Sequence, residues 1–452
     1  MFRIMITAAA SGSGKTAVTC GLLSLLEARG EKTCAFKCGP DYIDPMFHRS
    51  VLGVDSHNLD LFLAGETRTR EIFQRYSQGA TAVVCEGVMG YYDGLSGREA
   101  VASPWHLSTV LDLPALLVVR PKGSALTLAA VIRGLAEFRP TARIAGVILN
   151  DCSKGYFDRY GSLLEEESGI PVLGYLPHME EAAFESRHLG LMTAGEIDGL
   201  KERIDRIGAT MEETVDIDRL LEIGRTEEET SPGESPAYAG GTVPIAVARD
   251  EAFCFTYAEG LDRLKDAGAE LCFFSPLRDE HLPEGICGLY LPGGYPELYG
   301  QQLQDNQAMR RQIREEIAAG LPTIAECGGF LYLGKTLADG EGNRYAMAGV
   351  LPGEASGRGR LVRFGYAWVR ADRESMLFRP GEEIPVHEFH YWDTTAGGED
   401  LEAVRASGGQ SWDFGFATET MYAGFPHLYL AGEAKLAERF VAAAEKYRAM
   451  RR

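Results

Sequence analysis

Two short segments of this chain place reactive side chains beside glycine-rich turns. Near the amino terminus, an apolar run leads into Ala9-Ala10-Ser11-Gly12-Ser13-Gly14-Lys15-Thr16, where a lysine and a threonine follow the glycines. Far downstream, Cys327 stands between the apolar run 322–326 and a Gly-Gly pair. Turns of the first kind attract phosphate groups through backbone N–H groups and the start of the following helix. A cysteine of the second kind could act as a nucleophile.

The first segment fits the phosphate-loop pattern except at its first position, where Ala9 replaces the usual glycine. Successive backbone N–H groups of the turn could surround the β-phosphate of a nucleotide, and they belong to Ser11, Gly12, Ser13, Gly14 and Lys15. The ammonium of Lys15 could reach the β- and γ-phosphates, and the hydroxyl of Thr16 could bind Mg²⁺. The segment therefore predicts a site for ATP and magnesium.

A magnesium ion needs further oxygen ligands, and carboxylates follow two later strands. Asp41 and Asp44 come after the second predicted strand, and Glu86 ends the third. Because the carboxyl ends of parallel strands meet at one edge, we expect Asp41 and Glu86 to bind Mg²⁺. Asp44 is the alternative ligand or a residue that orients substrate, although any one of these carboxylates could instead cap a turn or helix. Lys37 could hold a second phosphate or an acidic substrate.

The second segment predicts a thiol at a corner between a strand and a helix. A helix amino terminus favours the thiolate of Cys327, and attack on a carboxamide would also need N–H donors for the developing oxyanion. Gly293, Gly294 and Gly328 lie in glycine turns that could supply such donors.

A nucleophilic thiol also needs a general base, and three histidines follow it in the chain: His387, His390 and His427. Taken alone, a buried cysteine before two glycines is more often part of a core than a catalyst. The glycine turn one strand earlier and the later histidines favour the catalytic interpretation.

Alternating apolar strands and amphipathic helices must position these residues. In the first half the predicted strands are 3–7, 33–37, 82–86, 115–120, 143–150 and 172–175, with helices such as 17–28 and 126–138 between them. In the second half the predicted strands are 244–248, 270–275, 288–292 and 322–326, with a helix at 306–319. Strands that are apolar throughout predict parallel sheets covered on both faces, which is an α/β fold.

The chain is long enough for two domains. An acidic, proline-containing stretch predicts a linker at 225–242, with a phosphate-loop domain at 1–224 before it and a second α/β domain at 243–452 after it.

The charge and the cysteines exclude several classes of protein. The 452 residues carry a net charge of −20, so we expect no nucleic-acid partner. We find no apolar run long enough to span a membrane and no secretion signal. The nine cysteines show no C-x-x-C pair and no disulfide spacing, which is typical of a reducing cytoplasm.

At this point the motifs, taken together, resemble one family. They are 11–16, 37–45 with His48, 58–60, 86–90, 93–94, 187–191, 293–297, 325–329 and 387–391. In this order and over nearly the whole chain, they are similar to those of the cobyrinate a,c-diamide synthases, the CbiA/CobB group of corrin-ring amidases in cobalamin biosynthesis.

The resemblance implies a phosphate-loop NTPase domain similar to dethiobiotin synthetase, followed by a class I-like glutamine amidotransferase domain. It implies Cys327 as the nucleophile and His427 as its base, with His387 and His390 near the corrin or the domain interface. A hydrogen-bonded core role is an equal alternative for the last two. Class I glutaminases usually carry a glutamate two residues after the base, but this chain has Tyr429, so what orients His427 stays open.

The implied reaction uses ATP, Mg²⁺ and glutamine to amidate the a and c acetate side chains of cobyrinate through an acyl phosphate. The same chemistry on hydrogenobyrinate or Ni-sirohydrochlorin is one alternative, and a ligase that uses free ammonia beside an inert glutaminase domain is another. A partitioning-type ATPase is the alternative from a different class. A homodimer is a possible assembly.

Overall fold

The chain folds into two compact units, Met1–Gly233 and Glu234–Arg452. The computed structural model describes residues 1–95, 97–180, 194–227 and 242–451, without the side chains of residues 194–198. The predicted motif at 187–191 and most of the predicted linker at 225–242 lie outside the described residues. Each unit contains parallel strands alternating with helices, so the predicted α/β class is confirmed.

The first unit is built on a seven-stranded sheet in the order β3-β2-β4-β1-β5-β6-β7. All neighbouring pairs run parallel. The strands are β1 (Phe2–Ala8), β2 (Thr33–Cys38), β3 (Asp55–Leu59), β4 (Ala82–Glu86), β5 (Ala115–Val119), β6 (Ile144–Leu149) and β7 (Val172–Tyr175).

Most of these strands form because their side chains are apolar on both faces. β4 and β5 are buried at every position, as expected for central strands between two layers of helices. β3 was not predicted, because its sequence Asp-Ser-His-Asn-Leu has no apolar pattern. Hydrogen bonds hold it instead: Ser56 Oγ contacts Nδ1 of His48 at 3.0 Å, and Asn58 donates to the carbonyl of Gly39 at 2.9 Å.

Helices cover this sheet, and one pair of them approaches closely. The helices of the first unit are α1 (Lys15–Ala28), α2 (Ile43–Phe47), α3 (Leu61–Tyr76), α4 (Pro104–Val110), α5 (Leu126–Glu137), α6 (Lys154–Ser168), α7 (Ala194–Thr214) and α8 (Ile217–Ile223), with a π-helical turn at His48–Leu52. A Cβ atom on Gly21 of α1 would lie 2.6 Å from Cγ2 of Ile207 in α7, so glycine permits this packing.

The residues after α8 stay attached to the first unit. Arg225 forms an antiparallel bridge with Phe2. The backbone N–H of Thr226 donates to the carbonyl of Met1 at 2.9 Å, and the guanidinium of Arg3 donates to its hydroxyl at 2.7 Å. The start of the predicted linker therefore pairs with the beginning of β1.

The second unit contains a six-stranded sheet in the order β20-β21-β11-β10-β8-β9. Its strands run parallel except at the β20–β21 edge. They are β8 (Val243–Ala248), β9 (Ala269–Phe274), β10 (Gly288–Leu291), β11 (Thr323–Glu326), β20 (Phe416–Ala417) and β21 (Met421–Gly424).

Two further sheets follow β11 in the chain, and no pattern in the sequence predicts them. One has the order β13-β12-β14-β17, and the other, antiparallel throughout, has the order β19-β18-β15-β16-β22. The strands are β12 (Thr336–Ala338), β13 (Arg344–Ala346), β14 (Glu354–Gly357), β15 (Arg363–Ala371), β16 (Glu383–His390), β17 (Trp392–Thr394), β18 (Leu401–Arg405), β19 (Ser411–Phe414) and β22 (His427–Leu428). Several are only two to four residues long, too short for an alternating pattern to be recognised.

The helices of the second unit include the one that carries the cysteine corner. They are α9 (Ala258–Asp266), α10 (Gly300–Asp305), α11 (Gln307–Ala318), α12 (Gly328–Leu333) and α13 (Ala434–Met450), with a 3₁₀ turn at Pro296–Tyr299. α13 packs its fully buried Phe440 against Gly288 of β10. In the described parts of the chain, no helix has both the length and the hydropathy needed to cross a bilayer.

Candidate active sites

The phosphate loop joins β1 to α1, and its geometry requires glycine at position 14. Gly14 has φ of 97° and ψ of 22°, a left-handed conformation. A Cβ atom there would lie 1.9 Å from Nδ2 of Asn150. The same Nδ2 donates a hydrogen bond of 2.9 Å to the carbonyl of Ser13. Asn150, which follows β6, therefore anchors the loop and leaves no room for a side chain at position 14.

The loop borders a cleft of about 430 Å³ at the carboxyl edge of the first sheet. From the loop, the cleft is lined by Ser11, Gly12, Gly14, Lys15 and Thr16. From β2, α2 and β4, it is lined by Lys37, Asp44 and Glu86, respectively. The predicted phosphate-binding residues thus share one cleft, apart from Ser13, whose hydroxyl donates to the carbonyl of Ala10 at 2.9 Å.

Lys15 projects into this cleft and contacts carbonyl oxygens. Its ammonium donates to the carbonyls of Met89 at 2.5 Å and Ala10 at 3.3 Å. Burial lowers the pKa of Lys15 to about 8, with a further contribution from the charge of Lys37. An anion in the cleft would relieve both effects, as expected for a lysine that binds phosphate.

Glu86 is hydrogen-bonded to two of the polar side chains beside the phosphate loop. Its Oε1 accepts hydrogen bonds from the hydroxyl of Thr16 at 2.7 Å and from the ammonium of Lys37 at 2.9 Å. Among the described residues its Oε2 is buried and has no hydrogen-bond partner; Nε2 of His48 lies 3.8 Å away. A buried carboxylate oxygen without a partner, beside a threonine hydroxyl that lines the cleft, is a donor set that fits Mg²⁺.

Lys37 joins Glu86 to Asp44. Lys37 lies directly opposite Glu86 in the register of β2 and β4, and its ammonium contacts a carboxylate oxygen of Asp44 at 2.5 Å. Burial disfavours the ammonium, but the charges of Asp44 and Glu86 outweigh it and hold the pKa of Lys37 above its ordinary value. Burial likewise opposes the charge of Asp44, yet Lys37 holds the pKa of that carboxyl below its usual range.

Asp41 lies behind this group and does not line the cleft. Its Oδ1 accepts hydrogen bonds from the backbone N–H groups of Ile43 at 2.8 Å and Asp44 at 3.2 Å, which is a capping role at the start of α2. Burial, and then the charge of Asp44, raise the pKa of Asp41 to about 6. Of the two acids that follow β2, Asp44 is therefore the one placed to meet a ligand.

A magnesium ion in this cleft would be coordinated partly by protein side chains and partly by phosphate oxygens and water. Within the described residues, no group of three or more histidine, cysteine, aspartate or glutamate side chains is arranged to hold a metal ion. Magnesium at a phosphate loop normally takes one or two protein ligands and completes its shell with phosphate oxygens and water, so Thr16 and Glu86 satisfy this requirement.

The backbone of Cys327 is strained, as is common for a nucleophile at a sharp turn between a strand and a helix. Cys327 connects β11 to α12 with φ of 46° and ψ of −104°, which is rare for a residue with a side chain. Its backbone N–H donates to the carbonyl of Gly424 at 2.8 Å, which fixes the corner to β21. The residue is 8% exposed.

His427 lies against this thiol. It begins β22, where it pairs with His387 of β16, and it is hydrogen-bonded to Cys327. Burial opposes a charge on its imidazole, but the contact with Cys327 and the nearby carboxylate of Glu326 outweigh burial and raise the pKa of His427 to about 10. This direction favours the imidazolium form of His427 beside Cys327.

Glu326, which precedes the cysteine, is a buried acid that the sequence analysis missed. It is 1% exposed. Its Oε1 accepts the backbone N–H of Leu428 at 2.9 Å, its Oε2 accepts the hydroxyl of Tyr290 at 2.9 Å, and Nδ1 of His427 lies 3.7 Å from Oε2. Its position as the charged last residue of β11, a strand that is buried throughout, is the feature of the sequence that could have indicated this role.

The predicted oxyanion glycines converge beside the thiol. A Cβ atom on Gly293 would lie 2.6 Å from Cε1 of His427, and one on Gly328 would lie 2.9 Å from the backbone nitrogen of Gly294. Gly328 follows Cys327 directly. The three glycines therefore bring backbone segments close to the thiol and the imidazole, where side chains would block access.

The two other predicted histidines differ in their surroundings. His387 packs edge-on against Phe364 and Tyr366, and burial, followed by the charge of His427, lowers its pKa to about 3. His390 has both ring nitrogens engaged, by the carbonyl of Trp392 at 2.5 Å and the carboxylate of Glu388 at 2.8 Å. This favours a structural role for His390, whereas His387 adjoins the reactive histidine.

Another group that sequence reasoning missed lines the far side of the phosphate cleft. Asp151 contacts Arg120 at 3.2 Å and Nδ1 of His178 at 2.8 Å, and the guanidinium of Arg120 also donates to the carbonyl of Gly12 at 3.2 Å. These residues follow β5, β6 and β7, whose loops carry no recognisable motif. Only the sheet order reveals that they face the loop after β1.

The comparisons with known proteins match one domain family in each unit. The model of the CobQ/CobB/MinD/ParA nucleotide binding domain matches residues 4–191, and that of the CobB/CobQ-like glutamine amidotransferase domain matches residues 244–435. The fold and the sites thus define a nucleotide-binding unit followed by a glutamine amidotransferase unit.

Curated relatives cover almost the whole chain. Proteins named cobyrinate a,c-diamide synthase are 39% identical in Clostridium acetobutylicum (96% of this chain, 98% of the relative), 37% in Salmonella typhimurium (96% of each) and 36% in Caldanaerobacter subterraneus (97% of each). The chain belongs to the cobyrinate a,c-diamide synthase family, which confirms the resemblance seen in the sequence.

The geometry at His427 predicts which cysteine reacts first. At pH 7 we expect iodoacetamide to alkylate Cys327 at least about tenfold faster than the half-buried Cys272, since the imidazole supports a thiolate only at Cys327. Burial, and then Glu270, raise the pKa of Cys272. Mass spectrometry of tryptic peptides over time measures both rates. His427→Gln should slow Cys327 and leave Cys272 unchanged; faster labelling of Cys272 in the native protein would contradict the assignment.

Proposed function

We propose that this protein is a ligase that takes nitrogen from glutamine and uses ATP to convert carboxylates of a corrinoid, cobyrinate, into amides. The observation that carries this proposal is the presence in one chain of a phosphate-binding cleft with buried charged groups and of a cysteine–histidine pair beside a glycine turn. Neither site alone forms an amide from a carboxylate. One supplies an activated acid and the other supplies ammonia.

In the first unit the cleft residues bind the triphosphate and hold the acid. The backbone of the loop and the ammonium of Lys15 bind the phosphates, while Thr16 and Glu86 hold Mg²⁺. When bound, the metal neutralises charge on the transferring phosphoryl group. Asp44, fixed by Lys37, faces the cleft and orients the substrate. Asp41 as a direct metal ligand stays a prediction; its Oδ1 accepts backbone N–H groups at the start of α2.

Activation of the acid is necessary because a carboxylate is a poor electrophile. A carboxylate oxygen of the substrate attacks the γ-phosphorus, ADP leaves, and an acyl phosphate forms. Ammonia then attacks the carbonyl carbon, phosphate departs with the former carboxylate oxygen, and an amide remains. Amidation of the a and c side chains requires two such rounds, with two ATP and two glutamine molecules.

In the second unit the thiol of Cys327 releases the ammonia. The thiolate attacks the amide carbon of glutamine, and N–H groups of Gly294 and Gly328 stabilise the oxyanion. The imidazolium of His427 donates a proton to the leaving nitrogen, the C–N bond breaks, and ammonia departs from a glutamyl thioester. Water, deprotonated by His427, then hydrolyses the thioester to glutamate.

The choice of cobyrinate rests on the family, in which curated relatives carry that name over the whole chain. Hydrogenobyrinate and Ni-sirohydrochlorin would undergo the same chemistry and are the alternatives. A partitioning-type ATPase is not favoured, since those relatives span the amidotransferase unit as well. We also infer a cytoplasmic location, which the nine free cysteines support, while a homodimer stays a prediction.

Mass spectrometry of the products tests this function. Purified protein is incubated with glutamine, MgATP and one of three acids: cobyrinate, hydrogenobyrinate or Ni-sirohydrochlorin. We expect cobyrinate to lose about 1 Da for each carboxylate that becomes an amide, in two successive steps that both need ATP. If the protein amidated hydrogenobyrinate or Ni-sirohydrochlorin in preference to cobyrinate, that compound would replace cobyrinate as the proposed substrate. If it amidated none of the three, the proposal would be contradicted.

Two variants separate the half-reactions. Cys327→Ala should lose glutamine-supported amidation but keep amidation with ammonium chloride, because only the release of ammonia needs the thiol. Lys15→Met should lose amidation with either nitrogen source while Cys327 remains open to iodoacetamide. Equal glutamine-supported rates in Cys327→Ala and native protein would show that the amidotransferase unit is inert.

A further inference from the structure

The acid that would complete a class I glutaminase is missing from its usual place. Two residues after His427 stands Tyr429, whose hydroxyl donates to the buried carboxylate of Glu259 at 3.0 Å. Its ring packs edge-on against Tyr257. Tyr429 is thus committed to contacts with the segment that leads into α9, and it supplies no negative charge to the imidazole.

The carboxylate of Glu326 lies beside the imidazole of His427 and could take the part of this acid. Its Oε2 is 3.7 Å from Nδ1 of His427, which leaves the other ring nitrogen, Nε2, for the thiol of Cys327. The order thiol, imidazole, carboxylate is therefore present, although the acid comes from the residue before the nucleophile.

Glu326 also fixes the backbone of the histidine strand. Its Oε1 accepts the N–H of Leu428, the residue after His427, at 2.9 Å. Its Oε2 accepts the hydroxyl of Tyr290 at 2.9 Å. Two donors stabilise the charged form of a buried carboxylate, and here they also determine where the charge lies. One side chain therefore fixes the strand that carries the imidazole and places a carboxylate oxygen 3.7 Å from Nδ1 of His427.

We propose that Glu326 is the positioning acid of the glutaminase site, which fixes the tautomer of His427 and stabilises its imidazolium. The proposal rests on the glutaminase role proposed above. Since Oε2 of Glu326 lies on the Nδ1 side of the imidazole, Glu326 acts through the histidine. Its carboxylate keeps a proton on Nδ1 and thereby directs the lone pair or proton of Nε2 to the reaction.

Glu388, a second buried acid on the neighbouring β16, is bound through its Oε1 by Nε2 of His390 at 2.8 Å. His387 on β16 is kept neutral, since burial and the charge of His427 lower its pKa to about 3. Tyr290 on β10 and Tyr422 on β21 are kept neutral, since burial, with the charge of Glu326 adding to it, raises both pKa values. Among the described residues, Glu326 is therefore the acid whose carboxylate lies within 4 Å of the imidazole of His427, at 3.7 Å from Nδ1.

Three variants test this role: Glu326→Gln, Glu326→Asp and, as a control, Tyr429→Phe at the usual position of the acid. Two quantities are measured: the pH dependence of Cys327 alkylation by iodoacetamide, and kcat and KM for glutamine hydrolysis. Tryptophan fluorescence checks folding, because Trp368, Trp392 and Trp412 all lie in the second unit.

In Glu326→Gln we expect the alkylation midpoint to rise by about one pH unit or more, because the imidazolium that supports the thiolate has lost its counter-charge. We expect kcat to fall at least about tenfold with little change in KM, because the acid does not touch glutamine. Glu326→Asp should restore most of the midpoint, and Tyr429→Phe should retain the native midpoint and kcat.

¹⁵N NMR of the native protein gives a test that no folding defect can affect. With labelled histidine, and with His427 assigned by the signal lost in His427→Gln, Nδ1 should carry a proton across the neutral range. An unprotonated Nδ1, or a native alkylation midpoint in folded Glu326→Gln, would overturn the proposal. A shifted midpoint in Tyr429→Phe alone would assign the role to that tyrosine instead.

These outcomes are distinct from failure of the proposed function. If the native protein hydrolysed no glutamine, the ligase proposal would fail. The alkylation profile and the protonation of Nδ1 would still report whether Glu326 controls His427.

Discussion

Parallel pairing of strands is the constraint on which both sites depend. Because parallel neighbours end at the same edge, the loop after β1 meets Lys37 at the end of β2 and Glu86 at the end of β4. In the second unit the same rule brings the glycine turn after β10 to the cysteine corner after β11. Residues tens of positions apart in sequence therefore act together without long loops to carry them.

Each edge then has to accommodate buried charge. In the first unit Lys37 lies between Glu86 and Asp44, so the two acids share one cation, and an oxygen of Glu86 remains for a metal. In the second unit the buried charge of Glu326 is met by Tyr290, by a backbone N–H and by His427. Removing any one partner would leave a charge uncompensated in a medium of low dielectric, so these groups are structural and functional at once.

How much the sequence could predict depended on how local each signal was. The phosphate loop, the Cys327 corner and most parallel strands were predictable, because glycine turns and apolar runs are read within a few residues. Strand β3 was not predictable, since its polar residues are accommodated by hydrogen bonds with distant residues such as His48 and Gly39. Glu326 was not recognised either, because its role depends on β22, about a hundred residues away. The short antiparallel strands around His387 are likewise defined by pairing.

Mass spectrometry of a doubly labelled turnover tests the central claim most directly, namely that one chain activates an acid with ATP and amidates it with nitrogen from glutamine. Cobyrinate labelled with ¹⁸O in its carboxylates is supplied with amide-¹⁵N glutamine and MgATP, and no ammonium salt is added. The account predicts that each new amide contains ¹⁵N and that each phosphate released with it contains one ¹⁸O atom. Appearance of ¹⁸O in AMP, or of unlabelled nitrogen in the amides at neutral pH, would contradict it.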